Sequence, residues 1–286
     1  MSIDADHLLA LEIPERRQSY SRRDCMLYAL GLGCGFDPVD PRELDFVYEK
    51  RQQVLPTMAV VLAHPGFWMR DLDTGIDWVR LVHAGQSLEI HAPLPLEANV
   101  VGQNRVVDVI DKGEGRGALV MSERRIIDTA TDTLLATVGQ TAYCRNDGGF
   151  GGAERAAPQP VPSPDRPADK TVEIRTSPDA AMIYRLSGDY NPLHVDPEVA
   201  QKAGFPRPIL HGLATYGIAG RALIAALCDF DAAKLGQIEA RFTAPVLPGA
   251  TLVTQIWQEP GAVRFRVTDK QSNRVAIDNA QAALTR

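Results

Sequence analysis

Residues 212–228 of this 286-residue chain read Gly-Leu-Ala-Thr-Tyr-Gly-Ile-Ala-Gly-Arg-Ala-Leu-Ile-Ala-Ala-Leu-Cys, with Arg221 their only charged member. Wound as a helix, this stretch is apolar or small on nearly every face. Such a helix holds only where neighbours cover most of its sides. It falls short of the roughly 20 apolar residues that cross a bilayer, so its cover is expected to be protein. Strand patterns follow it over 238–244, 251–258, 262–268 and 275–284.

The chain ahead of it follows the same plan. Ser21 caps a predicted helix over 22–30, which the glycines at 31, 33 and 35 end. Further helices are predicted over 42–53 and from Pro56, the latter broken after about two turns at Pro65-Gly66. Strands are predicted over 87–94, 99–110, 118–128 and 133–145. Residues 147–170 are rich in Gly, Pro and Ala without periodicity and read as a linker. Ser177-Pro178-Asp179 then opens a helix over 180–186, and a short helix over 197–203 precedes the apolar one.

Residue matches make the repetition concrete. Met26-Leu27-Tyr28-Ala29-Leu30 corresponds to Met182-Ile183-Tyr184-Arg185-Leu186 at an offset of 156. Without a gap, Val39-Asp40-Pro41 then falls on Val195-Asp196-Pro197, and Pro56 on Gly212. Ala92-Pro93-Leu94 falls on Ala244-Pro245-Val246 at an offset of 152. The chain is thus read as two copies of one unit of roughly 120–150 residues, helices followed by an antiparallel sheet. The expected division is 1–147, a linker over 148–170, and 171–286.

The copies differ where chemistry is possible. Asp189 falls on Gly33, Asn191 on Gly35 and His194 on Pro38, while Pro56, which has no N–H, stands where the second copy has Gly212. A carboxylate, a titratable ring and a bare backbone N–H suit acid–base work on a polarised carbonyl. One site per chain follows, in the second half. The formal net charge of −6 and pI near 5.6 argue against nucleic acid or an anionic membrane surface as partner. Four scattered cysteines without a CxxC suggest neither zinc nor a disulfide framework. The start has no basic, apolar leader pattern, so a cytoplasmic protein is the simplest reading.

Tyr184-Arg-Leu-Ser-Gly-Asp-Tyr-Asn-Pro-Leu-His194, followed by Pro208-Ile-Leu-His-Gly212, resembles the MaoC-like, R-specific 2-enoyl-CoA hydratase (hydratase 2) family. Tyr28-Ala-Leu-Gly-Leu-Gly33, Phe46-Val-Tyr-Glu49, Leu55-Pro-Thr57 and Gly148-Gly-Phe-Gly-Gly152 extend the likeness over most of the chain. The resemblance implies an α+β double hot-dog fold: two antiparallel sheets, each wrapped round a helix, with a degenerate N-terminal copy. It implies Asp189 and His194 as the catalytic pair, Gly212 as oxyanion donor, and Asn191 as a holder of the water and the pair. Contacts to acyl-CoA are implied for His83, Ala84, Lys112 and Phe242. Tyr190, Pro192 and Leu193 flank the pair and count with that binding set. Glu49 matches a pocket glutamate. The family pattern His-Gly-Glu-Gln stands here as His83-Ala84-Gly85-Gln86. No metal and no cofactor beyond the CoA of the substrate are implied, and the family implies a homodimer.

Hydration needs these groups. Water adds to C3 of a trans-2-enoyl thioester only if the conjugated carbonyl withdraws electrons. Gly212 can meet the thioester oxygen at a helix N-terminus, and its missing Cβ allows close approach. His194 titrates near neutrality and can take a proton from water; Asp189 can deliver one to C2. An Asp-x-Asn start also opens calcium loops, but Tyr190, Pro192 and Ala200 do not fit one. Gly31, Gly33 and Gly35 read as turn residues, since no strand precedes them. His64 and His91 read as ordinary histidines. Medium or long acyl chains are expected, because a helix broken at Pro65-Gly66 leaves room for a tunnel. The alternatives are a dehydratase acting on acyl-carrier-protein thioesters, a non-catalytic acyl-thioester binder, and a thioesterase.

Overall fold

A computed structural model describes residues 3–151, 159 and 161–285. Part of the expected linker, 152–158 and 160, lies outside the described residues. The first half contains α1 (Ala5–Ala10), β1 (Ile13–Tyr20), α2 (Arg22–Gly31), α3 (Pro41–Leu44), a 3-10 turn (Pro56–Val60), α4 (Trp68–Asp71), β2 (Leu81–Ile90), β3 (Ala98–Asp111), β4 (Ala118–Asp128) and β5 (Thr133–Cys144). The second contains β6 (Lys170–Arg175), α5 (Ala180–Tyr184), α6 (Pro197–Lys202), α7 (Gly212–Leu227), β7 (Leu235–Phe242), β8 (Thr251–Glu259), β9 (Ala262–Asp269) and β10 (Arg274–Leu284).

All ten strands form one antiparallel sheet in the order β1-β3-β4-β5-β2-β7-β10-β9-β8-β6. From either outer edge inward the halves repeat the same order, β1-β3-β4-β5-β2 and β6-β8-β9-β10-β7. They join through β2 and β7, with Leu88 opposite Ile238. The duplication read from sequence is therefore a pseudo-twofold, and this is the double hot-dog arrangement. Pairing β2 with β7 leaves neither half with an unpaired inner edge. The outermost strands escape sequence detection because both are mostly exposed: β1 lacks alternation, and in β6 the alternation amounts to Val172 and Ile174 alone.

The corresponding helices meet at the pseudo-axis. At Gly31 of α2 an added Cβ would lie 3.1 Å from the Tyr184 Cα, so only glycine lets α2 and α5 pack this closely. The matched tyrosines Tyr28 and Tyr184 face each other there, ring centroids 5.7 Å apart. Both copies also start a helix in the same way: Asp40 and Asp196 cap α3 and α6 through their carboxylates, each with Pro next.

α7 is the buried axle of the second half. Its residues from Ala214 to Ile224 are all buried. Gly217 sits against Leu32 and Tyr28, and Gly220 against Thr57, at distances that a Cβ would shorten below 3.0 Å. The helix therefore lies directly on the first half. Arg221 Nη1 donates to the Leu32 carbonyl at 2.9 Å, and Nη2 donates to Glu43. This buried ion pair explains the one charge in an otherwise apolar helix.

Two predicted helices are shorter than expected. Only Pro41–Leu44 of the 42–53 region is helical. The chain then doubles back, with the Gln53 N–H donating to the Asp45 carbonyl at 2.6 Å and Arg51 pairing with Asp45 at 3.0 Å. Phe46 is thereby carried into the core. The counterpart of α7 is the single 3-10 stretch Pro56–Val60. Ala63 takes a positive φ of 46° and Pro65 follows, so the helix ends a turn earlier than predicted. The start of the expected linker is not loose: Asp111 accepts from the N–H groups of Gly113, Gly149 and Gly151. Among the described residues no helix is long and apolar enough to cross a membrane.

Candidate active site

Asp189, His194 and Gly212 converge where the loop after α5 meets the N-terminus of α7. Two local devices shape that loop. Asp189 Oδ1 accepts from the Asn191 N–H at 3.2 Å, and Asn191 Oδ1 accepts from the Leu193 N–H at 3.0 Å. The second bond caps a 3-10 turn, Pro192–His194, whose proline presets the backbone. The turn carries His194 inward while Asp189 stays half-buried.

The buried His194 ring donates Nδ1–H to the Ile209 carbonyl at 2.8 Å, which leaves Nε2 with its lone pair. A ring held in this tautomer is a general base. Burial lowers its pKa below the ordinary histidine value, against the smaller opposing effects of the Ile209 carbonyl and Asp189. His211, immediately before Gly212, completes the cluster. Its ring stacks on His194 at 3.7 Å with a 26° interplanar angle, and Tyr184 covers it from another side at 5.0 Å. Nε2–H of His211 donates to the Asp189 carbonyl at 3.2 Å. Burial, then the neighbouring His194, pull its pKa down to about 4. His211 was quoted in the sequence motif without a role; its place directly beside Gly212 is the signal.

One nitrogen of each ring and a carboxylate oxygen of Asp189 lie within 4.8 Å of one another. A single metal would need in-plane lone pairs that converge. Near-parallel rings direct theirs side by side. The spacing instead suits water: two hydrogen bonds of about 2.8 Å meeting at one oxygen span roughly 4.5 Å.

The Gly212 N–H opens the 16-residue α7, and His211 supplies no side-chain cap. Neither Gly212 N–H nor Leu213 N–H has a partner among the described residues, so both are free donors at the positive end of the helix dipole. An added Cβ at Gly212 would lie 3.5 Å from the Phe242 ring, and Phe242 meets the His83 ring edge-on at 5.0 Å. Phe242 and His83 thus stand beside the oxyanion donor. His83 Nε2–H donates to the Gly85 carbonyl at 3.1 Å, and burial lowers its pKa to about 4. Ala84 is the extra residue of a bulge between His83 and Gly85 in the β2–β5 ladder, so its backbone is unpaired toward β5.

The remaining expected residues are more dispersed. Lys112 lies over the Tyr143 ring at 5.0 Å, and Tyr143 pairs with Val82, next to His83. Tyr190 is 58% exposed and stacks with Arg185; Pro192 is exposed and Leu193 half-buried. Glu49 sits exposed in a turn after α3, makes no hydrogen bond or ion pair with the described residues, and is not brought into the cluster. His64, read as an ordinary histidine, instead lines a pocket with Leu213, Val60, Gln86 and Arg124. His64 is itself exposed, at the solvent side of that pocket, with the Arg124 charge disfavouring its protonated form.

The chain matches two family descriptions in succession: "MFE-2 hydratase 2 N-terminal domain" over residues 18–146 and "MaoC like domain" over 160–280. It is 43% identical to the 3-hydroxyacyl-thioester dehydratase Y of Mycobacterium tuberculosis, over 98% of this chain and 97% of that protein. It is 38% identical to the peroxisomal enoyl-CoA hydratase 2 of Arabidopsis thaliana, over 96% and 93%. The crystal structure of a MaoC-like dehydratase from Phytophthora capsici superimposes with a TM-score of 0.89 at 32% identity, covering 99% of this chain and 98% of that one. Matches of this extent, with the cluster on the second of two successive family domains, place the chain among known enzymes: it belongs to the MaoC-like hydratase 2 family of hydro-lyases.

Proposed function

We propose that this protein is an R-specific 2-enoyl-CoA hydratase, adding water reversibly to a trans-2-enoyl-CoA to give the (3R)-3-hydroxyacyl-CoA. The observation that carries this reading is the grouping of Asp189 and His194, a carboxylate oxygen and a ring nitrogen within 4.8 Å of each other, beside the Gly212 N–H at the start of α7. The names of the relatives, an enoyl-CoA hydratase and a 3-hydroxyacyl-thioester dehydratase, describe the two directions of one such reaction.

Water held between Asp189 and His194 gives a proton to His194 Nε2 while its oxygen bonds to C3. The C2–C3 π electrons move toward the thioester oxygen, where the Gly212 N–H meets the developing charge. The proton then passes from the His194 imidazolium through the Asp189 carboxyl group to C2, which restores the dyad. Microscopic reversibility gives dehydration through the same groups. His83 and Phe242 are positioned to hold the thioester end, and Lys112 to meet a CoA phosphate. We assign medium or longer acyl chains, supported by the single-turn counterpart of α7 and the pocket that opens beside Leu213.

The test is loss of enoyl-thioester absorbance on trans-2-octenoyl-CoA, with the product's configuration determined. His194→Ala and Asp189→Asn should each lower kcat by about 10²–10⁴-fold, with circular dichroism unchanged. Release of free CoA thiol, or hydration undiminished in both variants, would sink the reading.

A further inference from the structure

The pocket beside Leu213 is small, walled by Trp68, Val60 and Val138, and leaves about 20 Å³ open to the centre of a water-sized sphere. Its far lining is not hydrocarbon. Gln86, Asn104, Ser122 and Gln140 face it, together with Arg124 of β4. The matching strand β9 turns Val263, Phe265 and Val267 to its own core. A guanidinium therefore stands in the first half where the fold elsewhere places apolar side chains.

Arg124 is 6% exposed. Nη2 donates to the Val60 carbonyl at 2.7 Å, while Nε is buried without a partner and Nη1 makes no hydrogen bond to the described residues. Among the described residues no carboxylate pairs with it: Glu123, the one acidic residue of the lining, is held by Arg105 at 3.0 Å. Burial pulls the Arg124 pKa down to about 10, still charged at neutral pH. His64, exposed at the same pocket, accepts at Nδ1 from the Gly66 N–H at 3.1 Å, and its Nε2–H has no partner among the described residues. A buried cation with a single carbonyl contact is costly unless an anion reaches it.

We propose that this pocket receives the distal end of an acyl chain bearing a carboxylate, so that the preferred substrate is an ω-carboxylated enoyl thioester with Arg124 and His64 as its tail-binding residues. The carboxylate supplies the charge that the protein does not. The apolar wall contacts the methylenes between thioester and tail. The inference rests on the hydratase reading and names its substrate class.

Two thioesters of equal chain length test it: trans-2-octenoyl-CoA and its counterpart with a terminal carboxylate at C8. The wild-type protein should show at least a tenfold higher kcat/KM on the carboxylated one. Arg124→Met should reverse that preference, and Arg124→Lys should keep part of it. Calorimetric binding of the saturated octanoyl-CoA and its ω-carboxylated analogue gives a readout independent of turnover, with the same order expected. Equal or weaker binding and turnover of the carboxylated compounds by the wild-type protein would overturn the proposal, whether or not the variants fold. Hydration of octenoyl-CoA in that case leaves the hydratase reading standing; turnover of neither thioester, with binding still favouring the carboxylated analogue, rejects the hydratase reading and keeps the pocket.

Discussion

At the scale of single residues, the pseudo-twofold supplies its own control. Gly212 stands where the first copy has Pro56, and both open a helix at its first position. The residue before Gly212, His211, already has φ −58° and ψ 136°, values that a following proline tolerates. Gly212→Pro therefore removes the N–H while α7 keeps a favoured first residue. Loss of this donor is expected to cost ~3 kcal/mol of barrier, on the order of 10²-fold in kcat, with the melting temperature little changed; kinetics and a thermal melt check both. Gly212→Ala keeps the donor and places its Cβ in ordinary contact with Phe242, so it should be the milder change. His194 sets the acid limb of the pH profile. The base works neutral and burial lowers its pKa, so kcat/KM should hold through the ordinary histidine value of about 6.5 and fall only at lower pH. An acid limb above that value would contradict this. Asp189, His194 and Gly212 were all legible in sequence because turn chemistry and copy divergence mark them locally. His211, His64 and Arg124 were not. Their significance lies in what faces them: His194 is 17 positions from His211 (211 − 194), and the pocket sets Arg124 near Leu213.

Among the elements, α7 carries the most information. Its all-round apolarity required burial, and the structure supplies it from both halves. Gly217 and Gly220 let it touch Tyr28, Leu32 and Thr57, and Arg221 reaches the α2–α3 segment through Glu43. Glu43 also accepts from the Gly35 N–H at 3.1 Å. Glu43→Ala leaves a guanidinium 8% exposed without its partner, so a loss of about 3 kcal/mol in unfolding free energy is expected, measured by denaturant titration. The sites of the two shortened helices illustrate the limit of periodicity. Over 42–53 and after Pro56, helical spacing was present, but Phe46 and Ala63 are fixed by distant packing that local pattern does not contain. β1 and β6 failed for the opposite reason: exposed edge strands bury few side chains, so β1 has no apolar alternation and β6 shows it only at Val172 and Ile174.

Over the whole molecule, the ten-stranded sheet gathers histidines around the junction of the halves. His211 and His83 are held neutral with pKa values near 4. For a histidine whose folded pKa lies below its unfolded value, the unfolded chain binds more protons in between. Stability is thus full above about pH 6.5 and is lost as pH falls toward 4, at up to about 1.4 kcal/mol per pH unit for a fully buried group such as His211. Melting temperatures measured from pH 7 to pH 4 should decline through this window, and His211→Gln should flatten the decline. A profile that is flat until pH 4 would contradict the buried neutral state.

The sequence by itself determined the duplication, the buried helix, the strand-rich halves and the Asp-x-Asn-Pro-x-His turn, because each is written in local spacing, capping and breaker residues. Only the tertiary structure decided that the two sheets share one ladder through β2 and β7, that His211 backs His194, that Glu49 stays outside, and that Arg124 and His64 face one pocket with Leu213. Those facts depend on which strand faces meet across long separations in the chain. That choice is made by packing of the assembled halves, which no local window of residues encodes.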